Sequence, residues 1–165
     1  MSEAQQSSSG LDAPIQWPVT RSAYKIIHSI GQGATSVVHE AECIPLAKKC
    51  AIKIINLEKC STSASLDEIN REIKSMKNMK NECIVAYYAS FVDKTELLIV
   101  MDLCQRGGSL LDVIKFTHSK RDITYGVFDE NTIATILKDV LRGLAYIHEN
   151  GLVHRRFMRI HNSVY

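Results

Sequence analysis

The sequence predicts a protein of the α+β class, with strands between Tyr24 and Met101 and mainly helices after them. Five short runs rich in β-branched and aromatic residues alternate with turn signals in the first part. One helical apolar stripe interrupts these runs, and two further helical stretches follow. A glycine-rich turn after the first strand and a lone lysine in the third strand are the features around which the other elements are arranged.

Length and composition fit one ordinary globular domain. The chain has 165 residues, of which 45% are hydrophobic and 23% are charged. Its net charge of +2 gives no overall electrostatic reason to expect binding to nucleic acid or acidic membranes. No apolar run approaches the roughly 18 residues of a membrane helix, and no secretory signal is recognisable. Five cysteines, without C-x-x-C spacing, favour free thiols in the reducing cytoplasm.

Turn residues bound the five predicted strands. The strands cover Tyr24–Ile30, Val37–Cys43, Cys50–Asn56, Ile84–Val92 and Leu97–Met101. The third strand is nearly all apolar and is therefore predicted to lie at the centre of the sheet. The turn between the second and third strands is placed at Pro45 and Lys48–Lys49, and the next hairpin turn at Asp93–Glu96.

The segment before the first strand is predicted to be a disordered tail. Residues 1–20 are mostly small and polar and include two prolines. Trp17 is the one large aromatic residue in this tail. We interpret it as a stray aromatic, with docking onto the domain as the alternative.

The glycine turn and the lysine point to phosphate chemistry. Gly31 and Gly33 lack a Cβ, so the backbone can take positive φ and pass close to another group. Backbone N–H groups in such a turn can face phosphate oxygens. Lys53 is a cation in an apolar strand, and a phosphate would justify it. In dinucleotide-binding units a helix follows the glycine turn, whereas here a strand follows. A tight hairpin with a snorkelling surface lysine is the alternative.

A helix is predicted to begin at Ser65, where Ser65 and Glu68 match a capping box. Glu72 lies beside the apolar stripe of this helix. A carboxylate that faces a packed sheet needs a cationic partner, and Lys53 is the candidate. The alternative is that Glu72 lies at the flank of the helix and is solvated. The stripe consists of Leu66, Ile69, Ile73, Met76 and Met79.

Regular structure breaks after the fifth strand, at residues 102–109, where a connection between two lobes would fall. A short helix over Leu110–Phe116 and a polar loop over His118–Gly126 follow. Asp129 is predicted to cap a long helix that Gly151 ends. The apolar stripe of the long helix consists of Ile133, Ile136, Leu137, Val140, Leu141, Leu144 and Ile147.

From Tyr24 to Arg155 the sequence resembles the eukaryotic protein kinases, and among them the sterile-20-like, germinal-centre group. The runs A-I-K-I-I-N-L-E-K-C (51–60) and F-D-E-N-T-I-A-T-I-L (128–137) are similar to the oxidative-stress-responsive / proline-alanine-rich kinase subfamily. The resemblance implies a small lobe, with a five-stranded antiparallel sheet plus one helix, and then the first helices of an incomplete, mainly helical large lobe. The implied divisions are 21–104 for the small lobe and hinge, 105–156 for the start of the large lobe and 157–165 for a non-matching end.

The resemblance also implies an ATP site. Lys53 matches the lysine on the α- and β-phosphates, and Glu72 matches its helix partner. Met101 matches the residue that guards the back of the pocket, and the backbone of Asp102 to Cys104 matches the hinge that binds the adenine edge. The implied nucleotide-binding residues are Ile30, Gly31, Gln32, Gly33, Ala34, Thr35, Ser36, Val37, Val38, Ala51, Lys53, Glu72, Met101, Asp102 and Cys104.

The catalytic loop of the family, H-R-D-x-x-x-x-N, is matched only at its beginning. His154 and Arg155 match, but Arg156 occupies the Asp position and His161 the Asn position. Arginine remains protonated, so it can neither accept the substrate proton nor ligate Mg²⁺. No D-F-G aspartate follows before Tyr165, so the Mg²⁺ ligands expected for the family are absent. No catalytic residue is predicted to be intact, and ATP is expected to bind more weakly.

By resemblance, the family role is that of a serine/threonine kinase that phosphorylates cation–chloride cotransporters in cell-volume and osmotic-stress control. Upstream kinases of the with-no-lysine type activate such relatives. The docking region that family members carry is absent from this sequence. We predict that this chain binds ATP without transferring phosphate. The first alternative is a non-enzymatic, pseudokinase-like fragment that binds a partner through residues 133–147. The second is a wrong exon boundary after Arg155, in which case the protein is a complete, active kinase.

Overall fold

The structure is a computed structural model that describes residues 15–59, 63–104, 109–120 and 126–154. Its elements are β1 (Tyr24–Gln32), β2 (Ser36–Cys43), β3 (Lys48–Asn56), α1 (Ser63–Asn78), β4 (Tyr87–Asp93), β5 (Glu96–Met101), α2 (Leu110–Lys120) and α3 (Glu130–Glu149). The five strands form one sheet in the order β1-β2-β3-β5-β4, and all neighbouring strands are antiparallel. The predicted α+β class, with an antiparallel five-stranded sheet, is confirmed.

The central position predicted for the third strand is also confirmed. β3 pairs with β2 on one side and with β5 on the other, so every backbone polar group along it can join a ladder. Ile52, in the middle of β3, is fully buried. The register places Lys53 opposite Val38 of β2 and Ile99 of β5.

The sheet carries an apolar core on each face. On one face Ile52, Leu98 and Val100 pack with their neighbours, and on the other face Ile55, Leu97 and Ile99 pack against α1. The contacting side chains of α1 are Ile69, Ile73 and Met76. The predicted stripe is thus confirmed at its centre, whereas Leu66 is 40% exposed and Met79 lies beyond the helix end.

Three strand boundaries differ from the predictions by two or more residues. β1 continues to Gln32 instead of ending at Ile30, because Gly31 and Gln32 still pair with β2. β3 begins at Lys48 instead of Cys50, because Lys48 and Lys49 pair with β2 and the turn is confined to residues 44–47. β4 begins at Tyr87 instead of Ile84. The Asn81 side chain accepts a hydrogen bond from the Cys83 N–H at 2.8 Å and holds this stretch in a turn.

The helix boundaries were less well predicted. α1 begins at Ser63, so Ser65 lies inside the helix, whereas a capping residue needs a non-helical backbone. A capping box occurs instead at α2, where the Ser109 N–H donates to Asp112 Oδ2 at 2.8 Å and the Asp112 N–H to Ser109 Oγ at 3.2 Å. Ser109 Oγ also donates to Asp112 Oδ2 at 2.7 Å, and this bond, together with the one from the Ser109 N–H, holds the pKa of Asp112 below its ordinary value.

α2 also continues to Lys120, through positions assigned to a loop. Thr117 Oγ1 donates to the Val113 carbonyl at 2.7 Å and Ser119 Oγ to the Phe116 carbonyl at 2.7 Å. The polar side chains that suggested a loop are therefore satisfied on the helix itself. The rest of the predicted loop, at 121–125, lies outside the described residues.

Both predicted ends of α3 are confirmed. Asp129 Oδ1 accepts the Thr132 N–H at 2.7 Å, and Gly151 has φ of 71° just after the helix. α3 contacts the segment after α1, because the Lys80 N–H donates to the Tyr146 hydroxyl at 3.0 Å. Gly143 permits this approach, since a Cβ there would lie 3.2 Å from the Cys83 carbonyl oxygen.

Replacing Asp129 by Ala is expected to lower the melting temperature by roughly 3 °C, because the N–H of Thr132 loses its acceptor. Hydrogen bonds from the Thr132 side chain and from the Thr132 N–H hold the pKa of Asp129 below its ordinary value. The stabilisation is therefore present above the unfolded-state pKa and is lost as the pH falls through the folded-state pKa. Melting curves at neutral and acidic pH check this. Asp129→Asn, which keeps an acceptor, should melt near wild type, and equal melting of all three proteins would contradict the capping role.

The interpretation of Trp17 as a stray aromatic was wrong. Its ring stacks on Tyr88 of β4 with a centroid separation of 4.2 Å and an interplanar angle of 4°. Tyr24 donates a hydrogen bond from its hydroxyl to the Pro18 carbonyl at 2.6 Å, which holds the segment before β1 against the sheet. Residues 1–14 of the predicted tail lie outside the described residues.

Candidate nucleotide-binding site

The predicted pairing of Lys53 with Glu72 is present. Lys53 Nζ donates to Glu72 Oε1 at 3.4 Å, which connects the central strand to α1. The Lys53 side chain is 27% exposed and the Glu72 side chain 54%. An ion pair as open as this contributes little to stability. Its consequence is positional: the ammonium group is held at one place over the sheet.

An apolar surface lies on the same face as this ammonium group. Val38 is directly opposite Lys53, and Ala51 is directly opposite Met101. Cross-strand partners share a face, and so do residues two apart on one strand. The base of the Lys53 side chain is therefore surrounded by Val38, Ala51 and Met101. A flat apolar surface beside a cation suits an aromatic ring that carries phosphates.

The glycine turn closes the hairpin between β1 and β2. The Gly33 N–H donates to the Ser36 carbonyl at 2.7 Å, so Ala34 and Thr35 form the tip. The Thr35 carbonyl accepts the Asn56 N–H at 3.3 Å, which ties the tip to the end of β3. A phosphate contact with the Gly33 amide therefore requires this turn to open.

Neither glycine is used for an unusual backbone angle, and only Gly33 is needed for space, since a Cβ at Gly31 would lie 3.7 Å from Val38 Cβ, an ordinary contact. Neither Gly31 nor Gly33 has a positive φ, so the conformation that their sequence permits is not adopted here. A Cβ at Gly33 would lie 3.1 Å from Ser36 Oγ, which is tighter than ordinary packing. Glycine at this position lets the two strands meet in a short turn.

The remaining residues predicted for the glycine turn differ in how exposed they are and in which face of the sheet they lie on. Ile30 is 47% exposed, and Gln32 and the two tip residues are exposed as well. Val37 alternates with Val38 and pairs with Ile54, a residue that packs on the opposite core. The side chain of Val37 therefore does not face Lys53, although its backbone is part of the loop.

The hinge positions are held by three hydrogen bonds. The Asp102 N–H donates to the Ala86 carbonyl at 2.8 Å. Asp102 Oδ1 accepts the Leu103 N–H at 3.0 Å and the Tyr88 hydroxyl at 3.0 Å. Cys104 is exposed at the end of this segment. The contact from Tyr88 was missed at the sequence level, because the alternation of β4 gave no sign that this hydroxyl reaches the hinge.

The catalytic-loop positions lie almost entirely outside the described residues. Of that loop the structure describes only His154, whereas Arg155, Arg156 and His161 are not described. Within the four described ranges, no three His, Cys, Asp or Glu side chains are grouped to hold a metal ion. No helix in those ranges is both long and apolar enough to span a bilayer.

A twisted antiparallel sheet with a glycine hairpin, and a central lysine paired to a helical glutamate, defines the small lobe of a protein kinase. The sequence matches the protein kinase domain family over residues 24–157, and the chain belongs to that family. Family membership implies the use of ATP, typically with Mg²⁺.

The relatives belong to the Ste20-like serine/threonine kinases. The chain is 47% identical over 143 residues to Germinal center kinase 3 of Caenorhabditis elegans, covering 85% of this chain and 24% of that protein. It is 37% identical over 139 residues to serine/threonine-protein kinase fray2 of Dictyostelium discoideum, covering 84% and 13% respectively. It is 34% identical over 132 residues to human mitogen-activated protein kinase kinase kinase kinase 3, covering 80% and 13%. The chain thus spans less than a quarter of the length of these relatives.

Proposed function

We propose that this domain binds ATP on the face of the sheet around Lys53, as the nucleotide-binding part of a Ste20-like serine/threonine kinase. The Lys53–Glu72 pair carries the proposal, because it places a cation beside the apolar surface of Val38 and Ala51. A tight hairpin with a snorkelling lysine would not need a carboxylate from a separate helix.

Each part of the site has a distinct role in this proposal. The Lys53 ammonium group binds the α- and β-phosphates, and Glu72 orients it. The backbone of Asp102 to Cys104 binds the adenine edge, with Met101 at the back of the pocket. The glycine turn opens from its present hydrogen bonds and covers the phosphates.

The finer role follows from the two subfamily-like runs, 51–60 and 128–137. In this proposal the whole protein phosphorylates cation–chloride cotransporters in osmotic-stress signalling, and kinases of the with-no-lysine type activate it. The free thiols of Cys43, Cys50, Cys83 and Cys104 support a cytoplasmic location.

The sequence at the catalytic loop opposes phosphoryl transfer. Arg156 stands where the family has its catalytic Asp, and His161 stands where it has an Asn ligand for Mg²⁺. A guanidinium group cannot accept a proton at neutral pH, and it repels a divalent cation. These residues do not fit a metal-assisted transfer. The proposed activity of the chain with this sequence is therefore nucleotide binding alone.

A non-enzymatic interaction role is the second candidate. Leu137 is 51% exposed and Leu141 is 58% exposed on α3, which leaves part of the predicted 133–147 stripe open. An apolar stripe of this kind favours a covering partner, either another part of a longer protein or a separate chain.

Thiol alkylation tests the nucleotide site. Among the described cysteines, iodoacetamide at pH 8 is expected to modify the exposed Cys104 first, and a tenfold excess of ATP or adenosine over Kd should slow that modification about tenfold. The partly exposed Cys83, which lies beside Gly143 of α3, is the internal control and should react at an unchanged rate. Mass spectrometry of tryptic peptides measures both rates.

Cys50 provides a second internal control. Burial, with a smaller contribution from the neighbouring Cys43 thiol, raises the pKa of Cys50 to about 11. The raised pKa keeps this thiol protonated at pH 8, and the side chain is inaccessible, so Cys50 should stay unmodified. Equal protection of Cys83 and Cys104, or no protection of either, would contradict adenine binding at the hinge.

A further inference from the structure

We propose that Trp17 and Tyr88 are positioning residues for the hinge, so that the segment before β1 sets the affinity of the site for adenine. This inference rests on the proposed nucleotide site. It assigns a role to a segment that lies outside the site itself and that packs, through Trp17, on the sheet face opposite to Lys53.

The first step is the docking of the segment. The Trp17 ring lies parallel to the Tyr88 ring, 4.2 Å between centroids and 4° between planes. Tyr24, which is buried, donates from its hydroxyl to the Pro18 carbonyl at 2.6 Å. One buried residue of β1 therefore fixes the backbone next to Trp17, and the indole ring in turn restrains the Tyr88 ring.

The second step runs from Tyr88 to the hinge. The Tyr88 hydroxyl donates to Asp102 Oδ1 at 3.0 Å, and the same oxygen accepts the Leu103 N–H at 3.0 Å. The Asp102 N–H is bound to the Ala86 carbonyl at 2.8 Å. The orientation of the Asp102–Leu103 peptide thus depends on a carboxylate that Tyr88 holds in place. That peptide is part of the backbone proposed to bind the adenine edge.

The chemistry of Tyr88 suits a permanent donor. Burial, followed by the hydrogen bond to Asp102 and its charge, raises the pKa of Tyr88 to about 12. The phenol therefore keeps its proton throughout the physiological pH range.

The surroundings leave few other supports for the Asp102 side chain. A groove of about 630 Å³ lies beside it, lined among others by Trp17, Lys48, Tyr88 and Asp102 itself. The groove includes neither Lys53 nor Glu72, so it is separate from the proposed phosphate site. Because this side of the hinge is open, the stacked aromatic pair is the support that the described residues provide there.

The decisive variant is Tyr88→Phe, which removes the hydroxyl but keeps the ring for stacking. We expect it to weaken the binding of adenosine and of ATP equally, by roughly five-fold, because only hinge contacts change. Tyr87→Phe is the matched control, since the neighbouring hydroxyl donates to Ser90 Oγ at 2.8 Å and not to the hinge. Its affinities should equal those of wild type. Calorimetric titration of the full chain measures all of them.

The stacking is tested in the same way. Trp17→Ala is expected to weaken adenosine binding to a similar extent, and Trp17→Phe should restore most of it, because a phenyl ring still restrains Tyr88. Melting temperatures of all variants show whether a loss follows from unfolding. If Trp17→Ala does not fold, Trp17→Phe and Tyr88→Phe still decide the question.

Fluorescence supplies a readout that a purely structural role would not move. The chain has one tryptophan, so its emission reports directly on the Trp17 contact. Adenosine should change this emission with the same Kd as in calorimetry, since coupling between two sites is reciprocal. In Tyr88→Phe the apo emission should stay near that of wild type, whereas the change on adding adenosine should be largely lost.

Two failures can be told apart. If wild type binds adenosine and Tyr88→Phe binds it equally well, the positioning role is wrong and the proposed function stands. If wild type binds neither adenosine nor ATP, both proposals are wrong.

Discussion

Replacing Lys53 by Met is expected to weaken ATP binding by roughly 30- to 150-fold and to leave adenosine affinity almost unchanged. A hydrogen bond between charged groups contributes about 2–3 kcal/mol, which corresponds to that factor. The Lys53 side chain is only 27% exposed and its ammonium group is held by Glu72, so little reorganisation precedes phosphate binding. Adenosine carries no phosphate and therefore does not use this interaction.

Lys49→Met is the matched control for this prediction. Lys49 lies on the same strand and, four residues away, on the same face as Lys53. Its ammonium group is bound to Glu40 at 2.8 Å, and not to α1. The control removes one positive charge from the same face, so it separates a specific phosphate contact from a general electrostatic effect. ATP affinity should fall less than about three-fold in Lys49→Met at physiological salt.

Titrations of ATP and adenosine into the three proteins provide the measurement. Equal losses in both lysine variants, or a loss of adenosine binding in Lys53→Met, would mean that Lys53 does not bind the phosphates. The same proteins test catalytic competence in a phosphotransfer assay with labelled ATP. Neither wild type nor Lys53→Met should transfer phosphate, and transfer by wild type that Lys53→Met abolishes would contradict the role assigned to Arg156.

Replacing Ile52 by Ala is expected to lower the free energy of unfolding by about 3–4 kcal/mol. Ile52 is fully buried, in the middle of the central strand, between His39 of β2 and Val100 of β5. Paired strands on both sides cannot move in to fill the cavity without breaking a ladder. Since domains of this size are stable by only about 5–15 kcal/mol, this loss is a large share of the total.

Ile27→Ala is the control for the core substitution. Ile27 lies on the edge strand β1 and is 46% exposed, so its removal should cost less than about 1 kcal/mol. Ile52→Val, which removes one methylene group, should cost about 1 kcal/mol. Urea titrations followed by circular dichroism measure all three. A loss for Ile52→Ala no larger than for Ile27→Ala would show that this face of the sheet is not the core.

The most reliable sequence predictions concern features whose cause is local. The middle of β3, residues 50–55, is apolar apart from Lys53 because cores pack on both of its faces, and its central position follows from that composition. Asp129 caps α3 because its carboxylate reaches an amide only three residues away. Gly151 ends the same helix because its left-handed φ is easy for glycine alone.

The start of α1 was predicted wrongly because two segments of the chain carry a similar capping signal. A serine with a glutamate three residues later occurs at Ser65, but the observed capping box uses Ser109 and Asp112. Both pairs have acceptable chemistry, so spacing alone could not separate them. The backbone must first leave the helix at the serine, and the neighbouring chain decides whether it does.

In the candidate site, too, some features follow from the sequence and others depend on the fold. The sequence alone determined the chemical groups: two glycines in a strand-to-strand turn, a lysine in an apolar strand and a glutamate beside a helical stripe. The Lys53–Glu72 contact was predictable because an unpartnered carboxylate and an unpartnered ammonium group next to one sheet both need a partner.

Only the tertiary structure decided how the segment before β1 relates to the hinge. Trp17 lies far from Tyr88 in the chain, and nothing in the sequence of either stretch indicates that the two rings stack or that the Tyr88 hydroxyl reaches Asp102. Stacking and hydrogen bonding between them depend on the register of β4 against β5 and on where Tyr24 fixes the preceding backbone. Such contacts arise from the whole packed sheet, because residue spacing carries information about neighbours within a few turns but not about partners brought together by folding.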